Sequence, residues 1–352
     1  MTSGRTSALI LPLILASAVI MQNSPRSCRS DLQFDIQRLP EMQAALEKDL
    51  QSCRTLAKNN PAVYQPEVAI VLHNLAILYR DMQKLQESQA ASEEALRIRR
   101  KLAQGNPSVY RSAVAETLVD LGSLYIDMQR FKEARAATEE GLQIYRALAD
   151  QPRLAGTLTN LGILESIAQE PREAQAAFTE ALNIYRQLAR DNPALYQPNL
   201  AQTLNNLGHL YRDAHQGQQA QSAFAESLQI YREEARSNPS DGLPNVAITL
   251  NGLAAIYADA GQLPQAEAAL KEAVEIYRKL NLSAYLPQQA DTVNNLASIY
   301  KATQRLPEAR AAYQEALKLY RELAKLNPAV YRTNVDAVEK ALSDIPPRAR
   351  QP

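Results

Sequence analysis

The sequence has no tryptophan, only 4 phenylalanines and only 11 glycines among its 352 residues. It has no excess of charge of either sign, because 38 lysines and arginines balance 38 aspartates and glutamates. This balance argues against nucleic acid as a partner, since such binding needs a basic patch that neutralises phosphates. Apolar residues still make up 46% of the chain, which is enough to build a core. Scarce glycine, with abundant alanine, leucine, glutamine and glutamate, predicts an all-helical protein.

Cysteine is also scarce, with Cys28 and Cys53 as the two copies. Two cysteines are too few for the disulfide framework of a small secreted domain. They fit either one bridge in an exported protein or two unpaired thiols, and the sequence leaves both alternatives open.

The N-terminus combines a short basic start with an apolar run of 14 residues, Ala8 to Met21. A run of this length is short for a bilayer span but typical of a secretory signal, and Ala16-Ser17-Ala18 supplies a cleavage motif. We therefore predict that residues 1–27 are an export signal and that the mature protein is periplasmic or secreted. The alternative is an uncleaved N-terminal membrane anchor, and membrane association is expected only in that case.

One segment recurs six times. Its central leucines are followed by a small residue and lie 46, 40, 46, 46 and 43 residues apart: Leu75, Leu121, Leu161, Leu207, Leu253 and Leu296. A second segment follows each copy, with a marker residue always 21 residues after the central leucine: Leu96, Leu142, Leu182, Leu228, Val274 and Leu317. Helices packed as a hairpin keep a constant length, whereas a surface connection varies. The sequence therefore predicts six helix hairpins joined by variable connectors.

Both segments have helical periodicity, as in Leu204, Leu207, Leu210 and Tyr211. Glycine inside a helix costs about 1 kcal/mol relative to alanine. Its recurrence after the central leucine therefore predicts close helix crossings at Gly122, Gly162 and Gly208.

The connectors contain proline and repeat the pattern Asn-Pro-x-x-Tyr. A residue before proline avoids helical geometry, so Asn-Pro predicts the end of the preceding helix. We expect Pro66, Pro198 and Pro287 in the first turn of the following helix, where a missing N–H is tolerated.

The pattern resembles the tetratricopeptide repeat (TPR) family, in the extended kinesin-light-chain-like subtype found in bacterial scaffold proteins. The fourth copy carries the resemblance best, through Leu207, Gly208, Tyr211, Ala220 and Phe224. The resemblance covers about residues 60–330 and implies an all-α, right-handed superhelical solenoid of about six hairpins. Glu165 departs from it by replacing a tyrosine, and we expect the third copy to be locally irregular.

A solenoid requires capped ends. The resulting organisation has a capping helix at 28–58, six repeats at 59–330, a second capping helix at 331–345 and a disordered tail at 346–352.

In TPR proteins the first helices line a concave groove, and the residue before each central leucine faces it. Here that position is Asn in four copies, and Asp120 and Gly252 in the other two. The candidate peptide-binding residues are Asn74, Asn160, Asn205, Asn206, His209, Arg212, Asn251, Asn294, Asn295 and Lys301. An amide both donates and accepts hydrogen bonds, so repeated Asn predicts a ladder that clamps a peptide backbone whatever its sequence. Hydrogen bonding between repeats and a solvated polar face are the alternatives.

The resemblance implies a non-enzymatic scaffold that binds a protein or peptide in this groove. The alternative is a structural or self-associating module that uses edge or convex surfaces. The three histidines, His73, His209 and His215, lack the spacing of metal ligands, and no catalytic motif accompanies them. We therefore expect no enzymatic activity, no metal site and no cofactor.

Overall fold

The computed structural model describes residues 39–280 and 283–346. These residues form 14 α-helices and one short 3-10 turn, with no strand among them. The all-helical repeat fold predicted from the sequence is confirmed. The predicted export signal at 1–27, Cys28 and residues 347–352 of the predicted tail lie outside the described residues.

The helices follow one another with short connections. Their bounds are α1 Leu39–Asn59, α2 Pro61–Asp81, α3 Leu85–Gly105, α4 Pro107–Asp127, α5 Phe131–Ala147, α6 Gln151–Ile167, α7 Pro171–Asp191, α8 Pro193–Asp213, α9 Gly217–Ser237, α10 Pro239–Asp259, α11 Leu263–Leu280, α12 Leu286–Ala302, α13 Leu306–Leu326 and α14 Pro328–Ser343. From α2 to α13 they form six hairpins, each of a first and a second helix, while α1 and α14 precede and follow them. None of the described helices is both long and apolar enough to cross a membrane.

The chain divides within α7, after Ile184, into two compact units. We call the described residues 39–184 the N-terminal unit and the described residues from 185 onward the C-terminal unit. In the N-terminal unit the core includes the central leucines Leu75 and Leu121 and the fully buried Cys53. In the C-terminal unit one continuous core extends from Ala201 to Ile345.

Most connectors between hairpins are one residue long. Asn192, for example, has φ −140° and ψ 81°, and α8 begins at the next residue, Pro193. Proline suits this first position because its missing N–H would have no intrahelical acceptor there. The helices therefore start earlier than the sequence suggested, and the expectation that Pro66 and Pro198 occupy first turns is wrong: both lie inside their helices. Pro287 does occupy the first turn of α12.

Every hairpin turn contains one residue in the left-handed backbone region, eight residues after the central leucine: Gln83, Gln129, Gln169, His215, Gly261 and Gln304. At the first turn, the Gln83 N–H donates to Arg80 O at 2.9 Å and the Lys84 N–H donates to Tyr79 O at 2.8 Å. This pair of bonds satisfies carbonyls that a helix end leaves unpaired. The repeated turn fixes the constant hairpin length seen in the sequence.

The predicted close crossings are confirmed. A Cβ placed on Gly162 would lie 2.5 Å from Phe178 Cε1, and one on Gly208 would lie 2.8 Å from Phe224 Cε1. The second helices also carry small residues that are fully buried, Ala174 and Ala220. Only a hydrogen at the glycine position allows the two helices and the ring to pack at this distance.

The third repeat keeps a regular first helix. Glu165 lies inside α6 and is only 3% exposed. Arg135 of α5 donates to both oxygens of its carboxylate. A buried carboxylate is tolerated when a bidentate arginine pairs with it, which explains how glutamate replaces tyrosine here without breaking the helix.

The second helices carry a ladder of ion pairs in which an arginine of one helix contacts a glutamate of the next second helix. In the N-terminal unit the pairs are Arg54–Glu94, Arg100–Glu140 and Arg146–Glu180, at 2.6 to 2.8 Å. In the C-terminal unit they are Arg186–Glu226, Arg232–Glu272 and Arg278–Glu315, at 2.7 to 2.9 Å. Their side chains are roughly half exposed, so each pair contributes about 1 kcal/mol at most. Most of the stability must therefore come from the core.

We expect Gly162→Ala to lower the midpoint of thermal unfolding, because the added methyl group would clash with Phe178. Overpacking costs roughly 1–3 kcal/mol, which exceeds the gain of about 1 kcal/mol from replacing a helical glycine. Circular dichroism of the full chain measures the shift. Gly105→Ala is the control, because a Cβ there meets nothing within 4 Å. Similar midpoints for the two variants would contradict the close crossing.

Candidate functional site

The candidate residues divide between the two units. Asn74 and Asn160 belong to the N-terminal unit, on α2 and α6. The other eight lie on the first helices of the C-terminal unit: Asn205, Asn206, His209, Arg212, Asn251, Asn294, Asn295 and Lys301. The C-terminal unit therefore presents most of the predicted site on α8, α10 and α12.

The asparagines two residues before the central leucine join neighbouring repeats. Asn205 Nδ2 donates to Thr249 Oγ1 at 2.7 Å, and Asn251 Nδ2 donates to Thr292 Oγ1 at 2.6 Å. Each threonine hydroxyl in turn donates to a backbone carbonyl in its own helix. The structure thus gives Asn205 and Asn251 the alternative role, hydrogen bonding between repeats. Sequence reasoning missed the threonine partners, although threonine recurs four residues before the central leucine.

The asparagines immediately before the central leucine have no such partner. The side chains of Asn74, Asn160, Asn206 and Asn295 form no hydrogen bond within the described residues, and Asn295 is exposed. In the described part of the chain, the Nδ2 atom of Asn206 in α8 is buried without an acceptor, and the Oδ1 atom of Asn251 in α10 is buried without a donor. A buried polar group without a partner costs about 1–3 kcal/mol, so both atoms would be stabilised by a hydrogen-bond partner. We call Asn206, Asn251 and Asn295 the amide row.

His209 lies one helical turn beyond Asn206 and packs edge-on against Phe224, with ring centroids 5.0 Å apart. Burial, followed by the charge of Arg212, lowers the pKa of His209 to about 4. The imidazole is therefore neutral at neutral pH and offers one N–H donor and one acceptor.

The predicted cationic residues already have carboxylate neighbours. Arg212 Nη2 lies 3.0 Å from Asp213 Oδ1, and Lys301 Nζ lies 3.6 Å from Asp344 Oδ2. Asn294 is half-buried beside the exposed Asn295. The surroundings of the amide row are therefore largely uncharged, and its neighbour His209 adds a neutral imidazole.

The N-terminal unit has a different cluster at the same register, which sequence reasoning did not select. His73 of α2 faces two carboxylates of α4, with Nδ1 3.6 Å from Asp120 Oδ2 and Nε2 3.9 Å from Glu116 Oε2. Arg99 of α3 pairs with Glu116 at 3.1 Å and also donates to Thr117 Oγ1. Burial raises the pKa of Asp120 and lowers the pKa of His73. The sequence did contain one signal for this cluster, because Asp120 occupies a position where four other repeats have asparagine.

Among the described residues, no group of three or more histidines, cysteines, aspartates or glutamates is arranged to hold a metal ion. His73, Glu116 and Asp120 therefore do not form a metal-binding group of this kind.

Comparison with protein families matches two tetratricopeptide repeat models over more than half of the chain. One model matches residues 113–187, 199–279 and 245–322, and the other matches residues 68–106. No curated protein matches the sequence.

Solved structures share the fold at low sequence identity. BtubC (BKLC) from P. vanneervenii is 20% identical, with a TM-score of 0.56, and the match covers 76% of this chain and 96% of that one. The signal transduction ATPase with a tetratricopeptide repeat sensor from Pyrococcus horikoshii is 15% identical, with a TM-score of 0.60, and 88% of this chain matches 43% of that chain. A variant of a putative kinesin light chain from Podosopora anserina is 19% identical, with a TM-score of 0.50 and coverages of 61% and 98%. The predicted resemblance to the tetratricopeptide repeat family is confirmed by the two family models.

We expect Thr249→Val to destabilise the protein by about 1–3 kcal/mol, because the Asn205 amide would lose its acceptor while remaining buried. Chemical denaturation of the full chain measures the change. Thr157→Val is the control, because its hydroxyl bonds only a carbonyl of its own helix. An equal cost at both positions would argue against the bond between repeats.

The lowered pKa of the buried His209 predicts that the stability of the protein depends on pH. Its pKa is about 4 in the folded chain and 6.5 ordinarily, so the unfolded chain binds more protons between these values. The free energy of unfolding therefore falls as pH decreases from 6.5 toward about 4. We expect His209→Gln to gain stability relative to the wild type across this interval and to show no such trend above about pH 7. Thermal unfolding at several pH values measures the difference, and a constant difference would contradict the burial of a neutral imidazole.

Proposed function

Because the chain belongs to the tetratricopeptide repeat family, we propose that it is a non-enzymatic scaffold that binds a peptide segment of a partner protein along the amide row. TPR proteins mediate protein–protein interactions, and the amide row supplies the chemistry for one. The observation that carries the proposal is the side chain of Asn206, whose buried Nδ2 has no acceptor among the described residues.

The geometry of the row suits a peptide backbone. The bonds from Asn205 to Thr249 and from Asn251 to Thr292 hold α8 against α10 and α10 against α12 at this register. Asn206 and Asn295 are therefore presented by helices that are fixed relative to each other. A side-chain amide complements the N–H and C=O groups of a peptide, which do not depend on its sequence.

The combined substitution Asn206→Ala and Asn295→Ala should weaken partner capture at least about tenfold, because two backbone hydrogen bonds are lost. Alanine is the better helix former, so the fold should be retained. The measurement is quantitative mass spectrometry of partners cross-linked to the full chain. Gln221→Ala with Gln314→Ala is the control, since both glutamines are exposed on second helices. Equal capture by the two double variants would contradict binding at the amide row.

A self-associating module is the second candidate, and exposed apolar side chains in the C-terminal unit favour it. Leu326 is 84% exposed at the end of α13, and Val330 in the first turn of α14 is 43% exposed. Sedimentation of the full chain at increasing concentration distinguishes the candidates. A concentration-dependent mass that Leu326→Gln abolishes would support self-association, whereas a constant monomer mass would exclude it.

We propose export from the cytoplasm on the basis of residues 1–27 of the sequence. N-terminal sequencing of the native protein tests this, because a cleaved chain begins after the Ala16-Ser17-Ala18 motif. Recovery of the intact N-terminus in the membrane fraction would indicate an anchor instead.

A further inference from the structure

We propose that the N-terminal unit contains a second binding site, formed by His73, Glu116 and Asp120, that accepts an arginine side chain of a partner protein. This inference rests on the proposed function as a protein-binding scaffold, but it concerns residues distinct from the amide row. We call these three residues the acidic site.

The charges around the acidic site leave one carboxylate uncompensated. Glu116 pairs with Arg99, and the remaining nearby cation of α2, Arg80, pairs with Asp127. Asp120 forms no hydrogen bond within the described residues, and the only basic side chain there within ion-pair distance of it is His73. Because burial disfavours protonation of His73, the imidazole does not neutralise Asp120 at neutral pH. Among the described residues, Asp120 therefore has no lysine or arginine within ion-pair distance.

The same carboxylate is accessible. The Asp120 side chain is 42% exposed and that of Glu116 is 34% exposed, although both lie beside the nearly buried His73. A carboxylate that is partly desolvated, reachable from solvent and without a cation is electrostatically complementary to a charged donor. A cationic group that pairs with Asp120 would offset the cost of its desolvation.

His73 provides an independent indication of a ligand. Its side chain is 9% exposed, yet neither ring nitrogen forms a hydrogen bond within the described residues. The separations of 3.6 Å and 3.9 Å from the carboxylates are too long for direct hydrogen bonds. A buried imidazole normally has a hydrogen-bond partner, and the ring nitrogens of His73, which face both carboxylates, have none among the described residues.

The chemistry of the site favours a guanidinium group. Its planar fork can donate to Asp120 and Glu116 together and also to the acceptor nitrogen of a neutral imidazole. A metal ion would need a tighter arrangement of ligands than these residues form. The matching positions in the other repeats are Asn74, Asn160, Asn206, Gly252 and Asn295, so the charge preference belongs to the second repeat alone.

Two fluorescent alanine-rich peptides test the proposal, identical except for a central arginine or its neutral isostere citrulline. Fluorescence anisotropy with the full chain should show roughly tenfold tighter binding of the arginine peptide. Asp120→Asn should reduce this ratio to within about twofold, because asparagine keeps the shape and removes the charge. An unchanged ratio in this variant, or no arginine preference in the wild type, would overturn the proposal.

The double variant Asn206→Ala and Asn295→Ala separates the two sites. It should bind both peptides more weakly while keeping the arginine preference, if both proposals are correct. If this variant keeps both the wild-type affinity and the preference for arginine, the result contradicts binding at the amide row but not the acidic site. Loss of the preference in this variant would place arginine recognition outside the acidic site and would overturn the present proposal.

Thermal unfolding gives a readout that needs no ligand. Asp120→Asn should leave the midpoint unchanged or raise it, because it removes a desolvated charge without a cationic partner. Asp127→Asn is the matched control in the same helix, and it should lower the midpoint because Arg80 loses its carboxylate. A decrease for Asp120→Asn as large as that for Asp127→Asn would show that Asp120 is structural and would overturn the proposal.

Discussion

The close packing of each first helix against its second helix is the constraint on which the rest of the structure depends. Gly162 and Gly208 allow this approach, because any larger residue would meet the ring of Phe178 or Phe224. A hairpin packed so closely cannot change length without losing register. The same left-handed turn therefore recurs at every hairpin. Variation in repeat length arises where one hairpin meets the next, since α5 and α6 have 17 residues each whereas α3 and α4 have 21.

Regular hairpins separate two kinds of surface. The second helices carry paired arginines and glutamates, such as Arg100 and Glu140, whose charges cancel locally. The first helices carry amides, imidazoles and a few carboxylates, some of which have no partner within the described part of the chain. Local cancellation on one surface and unsatisfied polar groups on the other show that a chain with zero net charge can present chemically different surfaces.

The two units differ in the chemistry that they present at one register. The C-terminal unit offers neutral hydrogen-bonding groups, which suit a peptide backbone. The N-terminal unit offers Asp120 beside a buried histidine, which suits a cationic side chain. Because a repeat fold tolerates substitution at exposed positions without loss of packing, the same scaffold can carry different side-chain chemistry in successive repeats.

The amino-acid sequence by itself determined the helical class, the six hairpins and their glycine crossings, because periodicity and constant spacing report local packing directly. It also selected the three asparagines of the amide row as candidate binding residues. Only the tertiary structure decided which asparagines are available, since Asn205 and Asn206 are adjacent in sequence but only Asn205 reaches Thr249. It likewise decided that no lysine or arginine of the described residues lies within ion-pair distance of Asp120, because pairing depends on distances between helices that spacing along one helix does not encode.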